Sequence, residues 1–192
     1  MSTSRRWTSA DLEVMPDDGK RYEIIDGELY VSKQPKWNHQ IVCLNVGALL
    51  REWSKATGLG LANGAPGLVF ADDDEVAPDV IWISRQRLSE AIDPGGHLRV
   101  PPEIVVEVLS PGSANERRDL QAKLKLYSRR GVDEYWIVDW RDRSVRVYRR
   151  DGEVLDLVTK LGPTDSLRSP VLPGFDEPLS GIFEGAFPFV EG

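Results

Sequence analysis

Glu103-Ile104-Val105-Val106-Glu107-Val108-Leu109-Ser110-Pro111 is an almost unbroken aliphatic run that stops at a Ser-Pro pair. Such a run reads as a strand covered on both faces. One residue does not belong in it. A carboxylate inside a buried strand is costly unless it is paired or holds a metal ion. Glu107 is therefore read either as half of a structural salt bridge or as part of a metal site.

The pattern extends in both directions. Ala114 to Arg130 reads as a helix stopped by Gly131. Glu134 to Asp139 reads as a further buried strand, and Arg143 to Arg149 alternates at period two like a half-exposed one. Asp151-Gly152 turns into a strand near Val154–Leu157. The tail from about Pro163, rich in Pro and Gly, is expected to wrap the surface. Upstream, Gly67–Phe70 and Asp79–Ile83 are two more apolar runs. Ser84–Pro101 is a loop with room for a short helix at Gln86–Ile92.

A helix capped by Asn38 runs to about Ala56, with a stripe of Ile41, Leu44, Val46, Ala48, Leu49 and Trp53. Arg21 to Val31 is an N-terminal β-hairpin, because Asp26-Gly27 sits between two β-rich runs. A short helix near Trp7–Glu13 precedes it, with Thr8 or Ser9 as N-cap. This order predicts an α/β (α+β mixed) fold with a central mixed β-sheet flanked by helices.

Bulk properties narrow the classes. A chain of 192 residues suits one domain over residues 1–192, with a core at about 22–148 and a tail at 163–192. Cys43 is the single cysteine, so an internal disulfide and a cysteine zinc cluster are both excluded. A reducing, cytoplasmic location is expected. No stretch approaches the roughly 20 apolar residues needed to span a membrane. The net charge of −7 argues against a protein that coats nucleic acid broadly. Within 115–150, however, 11 Lys and Arg stand against 6 Asp and Glu. That basic half could meet a phosphate backbone, or it could be a solvated helix face and hairpin.

Asp79 is the second misplaced acid. It follows Pro78 and opens a strand, where aspartate is disfavoured; ending a turn is the simpler role. Leu120, Leu124 and Tyr127 define the apolar face of the later helix, and Lys123 lies at its rim. Lys125 points the opposite way. Asp119, Lys123 and Tyr127 follow one another at i, i+4 and i+8. A surface Asp119–Lys123 pair is the plain alternative. Two carboxylates at neighbouring strand ends could hold Mg²⁺, which prefers oxygen ligands. A nearby lysine could orient or deprotonate a water, or stabilise transition-state charge.

At these residues the chain resembles a known family. Arg21-Tyr22-Glu23-Ile24-Ile25-Asp26-Gly27-Glu28, Pro78-Asp79, Glu107–Pro111, and the run from Asp119 through Lys123, Tyr127 and Gly131 to Asp139 look like the Uma-two family, classed with restriction endonucleases. That family belongs to the PD-(D/E)xK nuclease superfamily. The resemblance spans about Tyr22 to Tyr148. It implies a restriction-endonuclease-like core, DNA as partner and Mg²⁺ (or Mn²⁺) as cofactor. Asp79 and Glu107 would be the metal ligands, with Lys123 completing the catalytic set. The superfamily usually puts the lysine two residues after the second acid. Leu109 fills that slot here, so the lysine would come from the following helix. Glu23 and Tyr127 are further candidates, and Gln121 could line the site.

Two other readings stay open. One is a nuclease-fold module that binds nucleic acid or a protein and has lost turnover. The other is a metal enzyme acting on a different substrate. A homodimer is expected for double-strand cutting, with Trp136, Trp140 and the tail as interface candidates. With His39 and His97 the only histidines, a histidine-rich zinc site is not expected, and neither is expected as a ligand. No histidine is placed to activate Ser110, and there is no P-loop.

Overall fold

Two fully buried strands, Ile104–Val108 (β7) and Glu134–Asp139 (β8), lie side by side and parallel at the centre of the molecule. The computed structural model describes residues 5–187. In chain order the preceding elements are α1 (Ser9–Leu12), β1 (Arg21–Ile25), β2 (Glu28–Ser32), α2 (Trp37–Thr57), β3 (Gly60–Gly64), β4 (Leu68–Ala71), β5 (Asp74–Val76), β6 (Val80–Ser84) and α3 (Arg85–Leu88). Between β7 and β8 come α4 (Ser113–Arg117), a π-helical turn (Arg118–Lys123) and α5 (Leu124–Arg130). After β8 follow β9 (Ser144–Asp151), β10 (Val154–Leu161), β11 (Ser166–Arg168), β12 (Asp176–Pro178) and α6 (Leu179–Ile182).

The central sheet has the order β10-β9-β8-β7-β6-β3. Only the β7–β8 pair is parallel, so the sheet is mixed. A parallel pair needs a long crossover, and α4, the π turn and α5 supply it. Period-two alternation sends side chains to opposite faces. Val80, Trp82, Ile104, Val106, Trp136 and Val138 pack against Val42, Val46 and Leu50 of α2. Ile81, Ile83, Val105, Tyr135 and Ile137 pack against Leu126 and Tyr127 of α5. A smaller sheet, β2-β1-β5-β4, carries the hairpin. Its turn residues Asp26 and Gly27 both have positive φ, 54° and 74°. That is the geometry an Asp-Gly hairpin turn requires.

Several expectations need correction. On α2 the buried stripe is Val42, Val46 and Leu50, bracketed by His39 and Ser54. Leu44, expected inside, is 66% exposed. The face was decided by polar pairing as well as hydropathy: Ser54 Oγ accepts a 2.9 Å bond from Trp82 Nε1 in the core. Lys36, not Asn38, occupies the N-cap position; the Asn38 side chain bonds Phe187 instead. The helix over 114–130 is broken by the π turn. Gly67–Phe70, expected as a strand covered on both faces, belongs to the smaller sheet. The tail does more than wrap: Leu167, Leu172, Phe175, Leu179, Ile182 and Phe183 are buried against the β8 face of the core. Phe175 stacks on Trp136 at 6.2 Å. Trp136 is fully buried and Trp140 nearly so, so neither offers a surface to a second copy.

Candidate functional site

Among the charged groups of the described residues, Lys123 has no exposed surface. A lone ammonium there would cost several kcal/mol. Its Nζ lies 2.7 Å from Glu107 Oε1 and 2.8 Å from Glu23 Oε1. Burial alone would lower the Lys123 pKa. Glu107 and Glu23 outweigh it and hold the group as an ammonium, above its ordinary value. The rim position read from an ideal helix is therefore corrected. The π turn adds a residue to the local turn and swings Arg118, Asp119 and Lys123 together into the core. Gln121, by contrast, is exposed.

Glu107 comes from β7 and is 1% exposed. Its Oε1 also accepts a 2.9 Å bond from Tyr127 Oη. Burial pushes its carboxyl up to about 8; Lys123 opposes that, while Asp79, Asp119 and Glu23 push the same way. Glu23, expected as a further site candidate, is buried in β1. Its Oε1 accepts from the Ala77 amide at 3.0 Å. Among the described residues its Oε2 is buried without a hydrogen-bond partner, the Arg118 guanidinium lying 3.4 Å away. Arg118 in turn donates to Asp119 at 2.9 Å. Tyr135 Oη donates to the Asp119 carbonyl and pins the π turn to β8.

Asp79 precedes β6. Val80 pairs with Val106 in the antiparallel register. Extending that register by one residue sets Asp79 across from Glu107, on the same face. Asp79 Oδ1 accepts from Arg21 Nη1 at 3.1 Å, and Oδ2 accepts from the Val108 amide at 2.9 Å. His39 Nε2 stands 3.1 Å from the same Oδ2. Burial would raise the Asp79 carboxyl; the His39 contact, Lys123 and Arg21 override it and hold the group well below the usual carboxylate range.

His39, which was not expected as a ligand, lies against Asp79 at the site. Arg21 and Arg118 were also missed. A buried polar residue one turn into an otherwise amphipathic helix was the available signal for His39. His39 Nδ1 faces Cys43 Sγ at 3.4 Å. Burial, with the nearby Asp79 and Glu107 charges, pushes the Cys43 thiol far up.

A cleft of about 520 Å³ opens over Asp79 and His39. Lys20, Arg21, Lys33, Lys36 and Arg118 line it, and among the described residues Asp79 is its one acidic lining group. Glu107, Glu23 and Lys123 do not line it; Arg118, which does, lies 3.4 Å from Glu23. The arrangement places a cationic entrance, suited to an anion, beside a set of buried carboxylates. Among the described residues no helix is long and apolar enough to cross a membrane.

No curated protein matches the chain. Among solved structures it is similar to a "putative nuclease belonging to DUF820" from Anabaena variabilis. The TM-score is 0.73 at 16% identity, covering 92% of this chain and 97% of that one. That likeness shows that the two chains share a fold. A weaker likeness, TM-score 0.39 at 15% identity, is to the type IIG restriction endonuclease BpuSI; it covers 75% of this chain and 15% of that one. The family described as "Uma2: Putative restriction endonuclease" matches residues 9–180, and the chain belongs to that family.

Proposed function

We propose that the chain is a divalent-metal-dependent DNA endonuclease that hydrolyses phosphodiester bonds. One observation carries the reading: Lys123, fully buried, bridges Glu107 and Glu23 beside a cationic cleft that opens on Asp79. Family membership and the nuclease fold support it.

The donor set fits a hard cation. Glu23, Asp79, Glu107 and Asp119 are buried carboxylates that face Arg21, His39, Arg118 and Lys123, and Glu23 Oε2 has no hydrogen bond among the described residues. Mg²⁺ or Mn²⁺ suits such oxygen ligands. Asp79 and Glu107 would hold the ion, with Glu23 beside them. When bound, it would polarise a phosphoryl oxygen and ease loss of a proton from the attacking water.

The chain's own groups do the rest. Lys20, Lys33, Lys36 and Arg21 hold the phosphate backbone in the cleft. Lys123 stays an ammonium, so it does not take a proton at neutral pH. It acts as a positioning residue: it fixes Glu107 and adds positive potential near the reacting phosphate. Tyr127 fixes the same carboxylate from the other side. In the reaction one water adds to phosphorus, one phosphorus–oxygen ester bond breaks, and the water's proton ends on the leaving sugar oxygen or in solvent. A homodimer belongs to this reading, since cutting both strands needs two sites. So does a cytoplasmic location, in keeping with the single cysteine.

A second reading has its own observation. Glu107 and Lys123 are almost fully enclosed and satisfied by each other, as in a module that binds nucleic acid without turnover. The two separate on supercoiled and linear DNA incubated with Mg²⁺, Mn²⁺ or EDTA. The enzyme reading expects nicked or linear product with metal, none with EDTA, and none from Asp79→Ala. Binding without strand breaks in every condition favours the module. A folded, metal-loaded protein that cuts no form of DNA or RNA ends the enzyme reading.

A further inference from the structure

We propose that His39, Cys43 and Asp79 form a second metal site, one that takes a borderline transition ion such as Zn²⁺ or Co²⁺. His39 and Cys43 lie one turn apart on α2, so their side chains share a face. Asp79 reaches them from the start of β6. His39 Nε2 is 3.1 Å from Asp79 Oδ2, and His39 Nδ1 is 3.4 Å from Cys43 Sγ. One ligand atom from each residue falls within 4.8 Å of the others. Around tetrahedral zinc, with bonds of about 2.0–2.3 Å, ligand atoms stand roughly 3.5 Å apart. The two contacts use different ring nitrogens, so His39 must turn to give one nitrogen to the ion while Asp79 and Cys43 close on it.

The donors separate this site from the carboxylate cluster. Imidazole and thiolate suit zinc and its neighbours, whereas magnesium takes oxygen ligands. Asp79 is common to both sets, and its oxygens are held from different sides. Oδ1 is engaged by Arg21; Oδ2 meets the Val108 amide and His39. Access exists from two sides. His39 and Asp79 line the basic cleft, and Cys43 and Asp79 line a second cleft of about 480 Å³ that also touches Gly64 and Ala65. On binding, the Cys43 S–H bond breaks, a sulfur–metal bond forms and the proton leaves to solvent; His39 binds as neutral imidazole and no electrons move. Binding at this site does not require the chain to be a nuclease.

The test is optical and needs no DNA. Co²⁺ is titrated into the reduced full chain in excess Mg²⁺, with thiolate-to-cobalt absorption followed in the near ultraviolet. One equivalent is expected to bind, and Zn²⁺ to displace it. Cys43→Ala and Cys43→Ser should abolish the near-ultraviolet band. His39→Ala, or His39→Gln if the alanine variant does not fold, should weaken binding by at least about tenfold, the scale set by losing a ligand's support. Glu107→Gln should keep the band. No band in the wild-type chain at saturating Co²⁺ overturns the proposal. So does a band that survives loss of Cys43, or an affinity that ignores His39, in variants whose circular dichroism is native.

Discussion

Lys123 Nζ and Glu107 Oε1 meet at 2.7 Å although 16 residues separate them and one sits on a helical turn, the other on a central strand. Neither charge reaches water. The pair therefore links the sheet to the crossover helix, and Glu23 ties the hairpin to the same ammonium.

Removing only one partner should be severe. Lys123→Met leaves Glu107 and Glu23 buried without their shared cation, and about 3–5 kcal/mol of stability should be lost. The double variant Lys123→Met with Glu107→Gln should recover part of that loss. Urea unfolding of Lys123→Met, Glu107→Gln and the double variant measures it. A double-variant loss equal to the sum of the two single losses would mean that the two groups are not coupled.

Acid sensitivity should come from another place. Asp74 of β5 is buried and accepts from the Asp26 amide, Arg129 and Arg130. Burial alone would raise its carboxyl. The Asp26 amide and the two arginines outweigh that and lower it below the ordinary value. A depressed folded-state pKa means that its contribution is present above the unfolded value, about 3.9, and is lost as pH falls through the depressed one. Stability should thus drop below about pH 4, and Asp74→Asn should show a shallower acid decline. Denaturant midpoints at neutral pH and below pH 4 check the sign.

The cleft lysines are exposed and can be changed without touching the core. Reversing Lys33 and Lys36 to Glu should weaken DNA binding about equally for all sequences. It should also flatten the salt dependence by roughly one unit of slope for each phosphate that is no longer neutralised. The unfolding midpoint should stay put. Fluorescence anisotropy over a salt series reads both quantities, and an unchanged slope would place the DNA elsewhere.

The π turn makes its own prediction. Deleting the exposed Gln121 should return Arg118–Lys123 to ordinary helical register. Each residue carries about 100° of rotation at roughly 3.6 residues per turn, so Lys123 would then follow Arg118 by four residues and Asp119 by three, and all three would still share a face. Metal-dependent cleavage should therefore survive, with far-ultraviolet circular dichroism near native. Loss of cleavage in a folded variant would show that the irregular turn itself is needed to assemble the site.

What the sequence determined alone was what neighbours along the chain decide. The apolar run around Glu107 had to be a buried strand, Asp26-Gly27 had to turn, and Gly131, with φ 87°, had to end a helix. Glu107 stood out because it broke a local rule, and its resemblance to a family pattern drew in Asp79, Lys123 and Glu23. The tertiary structure decided which charges meet. It buried Glu23, added Arg21, Arg118 and His39, chose the Val42–Leu50 face of α2, and packed the C-terminal segment into the core. Those choices depend on pairing between segments far apart in sequence. A buried polar group is tolerated only where a distant partner meets it, and propensity along the chain carries no record of that partner.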